Sequence, residues 1–279
     1  AQIQFLTKGG TQMSTANDLD RLLQGFVDRG LPGCSLHIAR KGELLYEGYF
    51  GWADIENQIP LSETHLFRQA SLTKVDMYTT AMMLYEKGLF LMSDPLYEYF
   101  PEWRHSTKAV RRKNGEVEIV PTSKPITVKN ILNMTCGLPY DMIMGDMPVQ
   151  HPTSQAMAEA MKPLKERGHY TLREQIAAMS KVPLAFEPGE RWLYGFASEL
   201  TAGLLEVLCG KPAELVIKEM LFEPLGMDSS ANFLLEDFAQ RLVKNYYLQD
   251  GIKLREEHAL YILPPEREAK FTGPLGSVS

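Results

Sequence analysis

Residues 66–74 read Leu66-Phe67-Arg68-Gln69-Ala70-Ser71-Leu72-Thr73-Lys74. In this stretch Lys74 follows Ser71 by three residues, and no other serine of the chain has a lysine at that spacing. On a helix, two residues three apart lie on one face, with Cβ atoms about 5–6 Å apart. A serine hydroxyl is a poor nucleophile unless a base lies within hydrogen-bonding reach. The stretch therefore predicts a helix, from about Ser71 to Lys87, that carries a nucleophile and its proton acceptor.

The S-x-x-K pattern has only four positions and often occurs by chance. The alternative interpretation is that Ser71 only caps the helix and that Lys74 is a solvated residue of its first turn. The position of Ser71 adds a functional argument, because the free N–H groups at a helix N-terminus favour a developing oxyanion. Motifs elsewhere in the sequence are needed to choose between these two interpretations.

The sequence before this stretch predicts a helix followed by a β-hairpin. Apolar residues recur at helical spacing over residues 15–29. Residues 35–39 and 44–50 are typical of two strands joined at Lys41-Gly42. An antiparallel hairpin after a helix predicts an α+β fold rather than repeated βαβ units.

The sequence after this stretch is mostly helical, apart from a second hairpin over residues 109–120 that Asn114-Gly115 predicts. Helices are predicted over residues 127–134, 171–180, 196–209 and 213–221. We therefore expect one catalytic unit over residues 1–279. Its parts are an N-terminal α/β part (1–66), a mostly helical region with the nucleophile (67–250) and a return towards the α/β part (251–279).

The composition is that of a globular protein: of 279 residues, 44% are hydrophobic and 23% charged, enough to bury a core. The net charge of −6 and the lack of a long basic stripe argue against nucleic acid as a partner. Three cysteines at unrelated spacing and six histidines without a paired motif predict no metal and no cofactor. No apolar run approaches the roughly 20 residues of a membrane span. We expect a cytoplasmic location, with a cleaved signal peptide as the alternative.

Four further motifs follow the order of a known family. They read Pro32-Gly33-Cys34-Ser35, Ile131-Leu132-Asn133-Met134-Thr135-Cys136-Gly137-Leu138, Phe186-Glu187-Pro188-Gly189-Glu190-Arg191-Trp192-Leu193-Tyr194 and Glu223-Pro224-Leu225-Gly226-Met227. With residues 66–74 they resemble the S-x-x-K acyl-serine superfamily of serine β-lactamases and penicillin-binding proteins. The closest branch is the class C β-lactamase-like one, with its esterases and D-amino-acid peptidases. The resemblance implies an antiparallel sheet flanked by helices, plus a mostly helical region.

The resemblance also implies a catalytic group of Ser71, Lys74 and Tyr194. In the family the tyrosine oxygen lies near the serine and shares proton transfer with the lysine. Either Lys74 or Tyr194 can be the working base, and the two groups can titrate as a coupled pair. The alternative for Tyr194 is an ordinary half-buried aromatic residue after a Pro-Gly turn.

Two features depart from the family pattern. The second motif is usually Y-x-N or Y-x-S but here reads Tyr194-Gly195-Phe196, so the amide is missing. We also find no third motif of the form K-T-G or H-x-G, and residues 273–279 resemble the start of the family's G-G-x-x-S-T segment. We therefore expect the sequence to be incomplete at its C-terminus, without the strands and helix that complete the family's fold.

The predicted function is a serine hydrolase that forms an acyl-enzyme on Ser71 from a small-molecule ester or amide. The residues Phe196, Leu138 and Tyr140 are expected to contact the substrate. The missing amide favours a carboxylesterase on small or medium acyl esters. β-Lactamase, D-amino-acid peptidase and acyltransferase activities stay open, because they differ in pocket shape and in the access of water. A sensor or regulator that binds without turnover is the alternative from another class. The sequence predicts neither the natural substrate nor the oligomeric state.

Overall fold

A computed structural model describes residues 16–141, 152–168, 170–232, 236–249 and 253–257. The described chain combines antiparallel strands with helices, and the prediction of an α+β fold is confirmed. Its residues divide into two compact units. The first contains the described residues up to Arg68 and those from 236 to 257, and the second contains those from Gln69 to 232. The segment 273–279, compared above with a family motif, lies outside the described residues.

The described helices are α1 (Ala16–Asp28), α2 (Thr73–Glu86), α3 (Val128–Leu132), α4 (Pro152–Arg167), α5 (Leu172–Met179), α6 (Ala197–Cys209), α7 (Ala213–Ile217) and α8 (Glu236–Arg241). The described strands are β1 (Gly33–Arg40), β2 (Glu43–Asp54), β3 (Ile59–Pro60), β4 (Thr107–Arg111), β5 (Val117–Pro121), β6 (Asn245–Gln249) and β7 (Lys253–Glu257). β1, β2 and β3 form one antiparallel sheet, and the pairs β4–β5 and β6–β7 are hairpins.

The N-terminal hairpin of the first unit forms where the sequence predicts it. Lys41 and Gly42, at its tip, have φ values of 52° and 79°. A tight two-residue turn of the type that matches strand twist needs positive φ at both positions. Leu19 of α1 packs with Tyr46 of β2 in a small core. The apolar face of the helix thus covers one side of the hairpin.

The core of the second unit is built around α6, as the apolar pattern of residues 196–209 predicts. Every residue from Ala197 to Leu205 is buried. A Cβ atom added at Gly203 would lie 2.2 Å from Ile176 Cδ1 and 3.1 Å from the ring of Phe100. The missing side chain therefore lets α5 and the Phe100 segment pack closely against α6.

The structure differs from the predicted elements at several places. The helix expected to begin at Ser71 begins at Thr73, after a short 3₁₀ turn of Ala70–Leu72. α7 ends at Ile217, earlier than expected, and a wider π-helical turn continues it over Lys218–Phe222. The sequence analysis assigned no element to α4, which carries Pro163 inside it. Two further elements were not predicted. α8 is short, whereas the β6–β7 hairpin was missed although Asp250-Gly251 in the sequence between its strands is a typical hairpin signal.

Candidate active site

Ser71 lies on a turn whose backbone is strained. Ala70, directly before Ser71, has φ +44°, in the left-handed region that residues with a Cβ atom rarely adopt. The Leu72 N–H donates to Gln69 O at 2.9 Å and closes the turn. Ser71 is exposed, and Thr73 behind it is buried. The turn thus presents the hydroxyl of Ser71 to solvent immediately before the N-terminus of α2.

The hydroxyl of Ser71 has two partners that can exchange protons. Lys74 Nζ donates to Ser71 Oγ at 3.2 Å, one turn along α2. The Tyr194 hydroxyl donates to the same Oγ atom at 2.5 Å, from 123 residues further along the chain. Lys74 Nζ also lies 5.0 Å from the centre of the Tyr194 ring. The structure therefore brings together the three side chains that the sequence analysis placed in the catalytic group.

The environment of Tyr194 lowers the pKa of its phenol. Burial alone raises the pKa of this phenol, but the hydrogen bonds with Ser71 and Lys74 lower it. The positive charge of Lys74 and a hydrogen bond with Tyr140 lower it further, so the pKa lies below the ordinary value for tyrosine. A phenol in this environment is a better proton acceptor at neutral pH than a solvated tyrosine.

The segment that carries Tyr194 is fixed by backbone and side-chain contacts. The Gly189 N–H donates to Thr135 O at 2.7 Å, and the Leu193 N–H donates to Met134 O at 2.9 Å. The carboxylate of Glu187 accepts hydrogen bonds from the Ser123 N–H (2.8 Å), the Ser123 hydroxyl (2.9 Å) and the Lys124 N–H (3.1 Å), and it pairs with Lys108 at 2.5 Å. These bonds hold the segment in place on both sides of its Pro-Gly turn.

Gly195 marks a close approach between this segment and the residues before Tyr140. A Cβ atom added at Gly195 would lie 1.9 Å from the carbonyl oxygen of Leu138. No side chain fits at that distance, so the residue between Tyr194 and Phe196 has to be glycine in this arrangement.

The three residues expected to contact substrate occupy different environments. Leu138 is fully buried and Phe196 is 5% exposed, and both belong to the core of the second unit. Tyr140 is half-buried and makes edge contacts with the rings of Tyr194 (5.6 Å) and Phe196 (4.8 Å). Substrate contact by these residues stays a prediction. What the structure shows is that Tyr140 supports Tyr194 directly, while Leu138 and Phe196 pack in the core.

The sequence analysis did not single out a buried polar pair at the start of α6. Ser198 Oγ donates to Glu199 Oε2 at 2.8 Å, and both residues are buried. One signal could have identified the pair: Glu199 is the only charged residue in the apolar run 197–205.

Trp192 is a second residue that the sequence analysis did not single out. It is 65% exposed, and its ring lies 6.1 Å from that of Tyr194 at an angle of 34°. Next to the nucleophile, Leu72 and Val75 are each 63% exposed. Apolar surface is therefore exposed on both segments that carry the proton-exchanging groups.

No group of three or more His, Cys, Asp or Glu side chains in the described part of the chain is placed to hold a metal ion. None of the described helices has the length and apolar character that crossing a bilayer requires.

Comparisons with known proteins agree with this geometry. A family model described as Beta-lactamase matches residues 19–259. Esterase EstB of Burkholderia gladioli is 28% identical over 215 residues, which are 77% of this chain and 50% of the esterase. A putative D-alanyl-D-alanine carboxypeptidase of Escherichia coli K12 is 24% identical over 262 residues, which are 88% of this chain and 54% of that protein. The chain thus spans about half the length of these two relatives.

A solved structure has the same fold. The structure of EstCE1, described as a hydrolase with promiscuous acyltransferase activity, matches 94% of this chain and 68% of its own chain with a TM-score of 0.72. The two sequences are 21% identical in this comparison. The fold of the described residues is therefore one that occurs in a solved structure.

Proposed function

Since this chain belongs to the beta-lactamase family, we propose that it acts as a serine hydrolase that forms an acyl-enzyme on Ser71. The observation that carries the proposal is the position of Ser71 Oγ, 3.2 Å from Lys74 Nζ and 2.5 Å from the Tyr194 oxygen. A serine with two such partners has a route for its proton, which is what nucleophilic attack by a hydroxyl requires.

The proposed reaction has two halves. In the first, Ser71 Oγ attacks the carbonyl carbon of the substrate, its proton passes to Tyr194 or Lys74, and the leaving group departs with a proton. In the second, water attacks the carbonyl carbon of the acyl-enzyme and gives a proton to the same pair. The bond from that carbon to Ser71 Oγ then breaks, Ser71 takes a proton back from the pair, and the acid is released. The lowered pKa of Tyr194 supports a role for its oxygen as the acceptor, with the charge of Lys74 stabilising the phenolate.

We propose a carboxylesterase that acts on small or medium acyl esters. Phe196 replaces the amide of the usual second motif and is buried, so this position offers an acyl group no polar side-chain contact. The exposed ring of Trp192 beside Tyr194 favours an apolar ester group. The similarity to Esterase EstB points the same way.

Three activities of the same chemistry are the alternatives. The similarity to a putative D-alanyl-D-alanine carboxypeptidase supports D-amino-acid peptidase activity as one alternative. The likeness to EstCE1 supports acyltransferase activity as another. A β-lactamase would use the same acyl-enzyme. A binding protein without turnover is the alternative from another class.

The test begins with an intact mass spectrum of the purified protein before and after treatment with a fluorophosphonate. We expect one adduct, mapped to Ser71 by digestion, and none in Ser71→Ala. Labelling should slow by about 10²- to 10⁴-fold in Lys74→Ala, as for the loss of a general base. Ser93→Ala, which removes another exposed serine, is the matched control and should label normally.

Turnover then separates the candidate activities. We expect hydrolysis of p-nitrophenyl acetate and butyrate to exceed that of a chromogenic cephalosporin and of D-alanyl-D-alanine peptides. Transfer to an added alcohol in preference to water would favour the acyltransferase. A labelled Ser71 with one burst and no turnover on any ester would favour the binding protein, and the absence of an adduct would contradict the acyl-enzyme proposal.

A further inference from the structure

The ring of Tyr140 contacts two side chains of the second motif. Its centre lies 5.6 Å from that of the Tyr194 ring and 4.8 Å from that of the Phe196 ring, with interplanar angles of 68° and 79°. Rings at such distances and steep angles make favourable edge-to-face contacts. Tyr140 therefore bridges two rings whose residues are two positions apart in the chain.

Backbone contacts fix the second motif on both sides of Tyr194. Before it, the Leu193 N–H donates to Met134 O at 2.9 Å. After it, Gly195 approaches the Leu138 carbonyl oxygen so closely that a Cβ atom would lie 1.9 Å from that oxygen. With the backbone held in this way, the position of the Tyr194 oxygen depends on the rotation of its side chain.

The Tyr194 ring is connected to the core of the second unit through Tyr140. Trp192 and Lys74 also contact this ring, but Trp192 is 65% exposed and Lys74 reaches it through a flexible aliphatic stem. Tyr140 is half-buried and packs against the core, and Phe196 is 5% exposed and is the N-cap residue of α6. The start of α6 thus supports the Tyr194 ring by way of two further rings.

The orientation of the Tyr194 ring determines whether its oxygen can take a proton from Ser71. The two oxygen atoms are 2.5 Å apart, and Lys74 Nζ lies 5.0 Å from the ring centre. The phenol oxygen is at the far end of the ring, so a rotation of the side chain moves it away from Ser71. A misplacement of about 1 Å can cost about 100-fold in rate. A residue that holds the ring can therefore affect the rate without touching the reacting atoms.

We propose that Tyr140 and Phe196 are positioning residues: the ring of Tyr140, held by that of Phe196, keeps the Tyr194 oxygen close to Ser71 Oγ. In this chain the third position of the second motif then acts on the catalytic tyrosine rather than on the substrate. The inference rests on the proposed function, because it assumes that Tyr194 takes the proton of the nucleophile.

The test compares two variants at position 140, one that keeps the ring and one that removes it. The readouts are kcat and KM for p-nitrophenyl acetate and the rate of labelling of Ser71 by a fluorophosphonate. Tyr140→Phe keeps the ring and should retain kcat within about threefold. Tyr140→Leu removes the ring and should lower kcat and the labelling rate by about 10- to 30-fold, with KM changed by less than about twofold.

Phe196→Leu tests the second contact, because it keeps an apolar side chain in the core and removes the ring. We expect it to lower kcat by about 3- to 10-fold. Since Phe196 acts through Tyr140, adding Phe196→Leu to Tyr140→Leu should lower kcat by less than about twofold more. Losses that simply multiply in the double variant would contradict this connection.

Leu172→Ala is the control for a general loosening of the core. Leu172 is a buried residue of α5 and is none of the site residues described above. Its truncation should lower the free energy of unfolding but leave kcat within about twofold at temperatures where the protein is folded. An equal fall of kcat in Leu172→Ala and Tyr140→Leu would overturn the proposal, because any core defect would then have the same effect.

Two further outcomes at position 140 would overturn the proposal. A higher KM with unchanged kcat in Tyr140→Leu would assign Tyr140 to substrate binding, and equal losses in Tyr140→Phe and Tyr140→Leu would assign the effect to the hydroxyl group. Tyr140→Met fills more of the space and replaces Tyr140→Leu if that variant does not fold. A wild-type protein that is not labelled at Ser71 would instead contradict the proposed function.

Discussion

At the scale of single residues, Trp192 exposes an apolar ring beside Tyr194. Its ring lies 6.1 Å from that of Tyr194, and 65% of its surface is exposed. When a flat apolar group covers an indole face, binding is favoured because apolar surface is removed from water and the two groups stack. Trp192 makes no hydrogen bond to Ser71, so its contribution should be to binding rather than to bond making.

We therefore expect Trp192→Ala to raise KM for p-nitrophenyl esters by about 5- to 30-fold, which corresponds to about 1–2 kcal/mol of binding. The value of kcat should change little, and Trp192→Phe should retain most of the affinity. Leu225→Ala is the matched control, because Leu225 is also 65% exposed and is none of the site residues described above. A fall in kcat with an unchanged KM would assign Trp192 to the positioning of Tyr194 instead.

The residues of the site differ in how far their positions could be predicted from the sequence. The spacing of Ser71 and Lys74 predicts their contact because a helix fixes the distance between such positions. Tyr194 lies 123 residues away from Ser71, and only the family resemblance placed it in the site. The positive φ of Ala70 has no local signal, since alanine has no preference for that conformation.

At the scale of elements, the segment with the second motif depends on the carboxylate of Glu187. Its side chain is 13% exposed and accepts hydrogen bonds from Ser123 and Lys124 while it pairs with Lys108. Burial alone raises the pKa of this carboxyl, but the contacts with Lys108, Ser123 and Lys124 outweigh it, and the pKa lies below the ordinary value. The ionised form of Glu187 therefore stabilises the folded state.

We expect Glu187→Ala to lower the free energy of unfolding at pH 7 by about 1–3 kcal/mol, with a smaller loss for Glu187→Gln. The stabilisation is fully present above the pKa of the unfolded glutamate, near 4.3, and is lost as the pH falls through the lower folded pKa. Urea unfolding at several pH values should therefore show the difference between wild type and Glu187→Gln shrinking below about pH 4. Glu219→Gln, which removes an exposed pair with Lys211, is the control and should cost under about 0.5 kcal/mol. A difference that persists at low pH would refute the role of the ionised form.

Elements with a strong local signal were predicted well, and the others were not. The helix predicted over residues 171–180 is present as α5, and a capping box of Thr171 and Glu174 forms its start. The hairpin tip at Asn114-Gly115 also lies where expected, between β4 and β5. α4 contains Pro163, which usually argues against a helix interior. Its buried residues Met157 and Met161 nevertheless recur at helical spacing, so the sequence did carry a signal for this helix.

At the scale of the whole molecule, the residues of the proposed reaction all belong to the second unit. Ser71 and Lys74 come from the start of α2 and its preceding turn, and Tyr194 precedes α6. α2 packs against α6, whose residues from Ala197 to Leu205 are all buried. The rigidity of the site therefore depends on the packing around α6.

We expect Leu200→Ala to lower the free energy of unfolding by about 2–5 kcal/mol, because Leu200 is fully buried and its loss leaves a cavity. Val207→Ala on the same helix is the matched control, since Val207 is 47% exposed and should cost under about 1 kcal/mol. Urea titration followed by circular dichroism gives both values. Equal costs at the two positions would show that α6 is not the centre of the core.

The close approach at Gly195 has a consequence for directed evolution. A Cβ atom there would lie 1.9 Å from the Leu138 carbonyl oxygen, so a library that varies this codon spends most of its members on proteins that cannot fold the segment. Codon 192 encodes a side chain that is 65% exposed and has no such obstacle. A selection for new acyl preferences should therefore keep the glycine codon fixed and randomise codon 192.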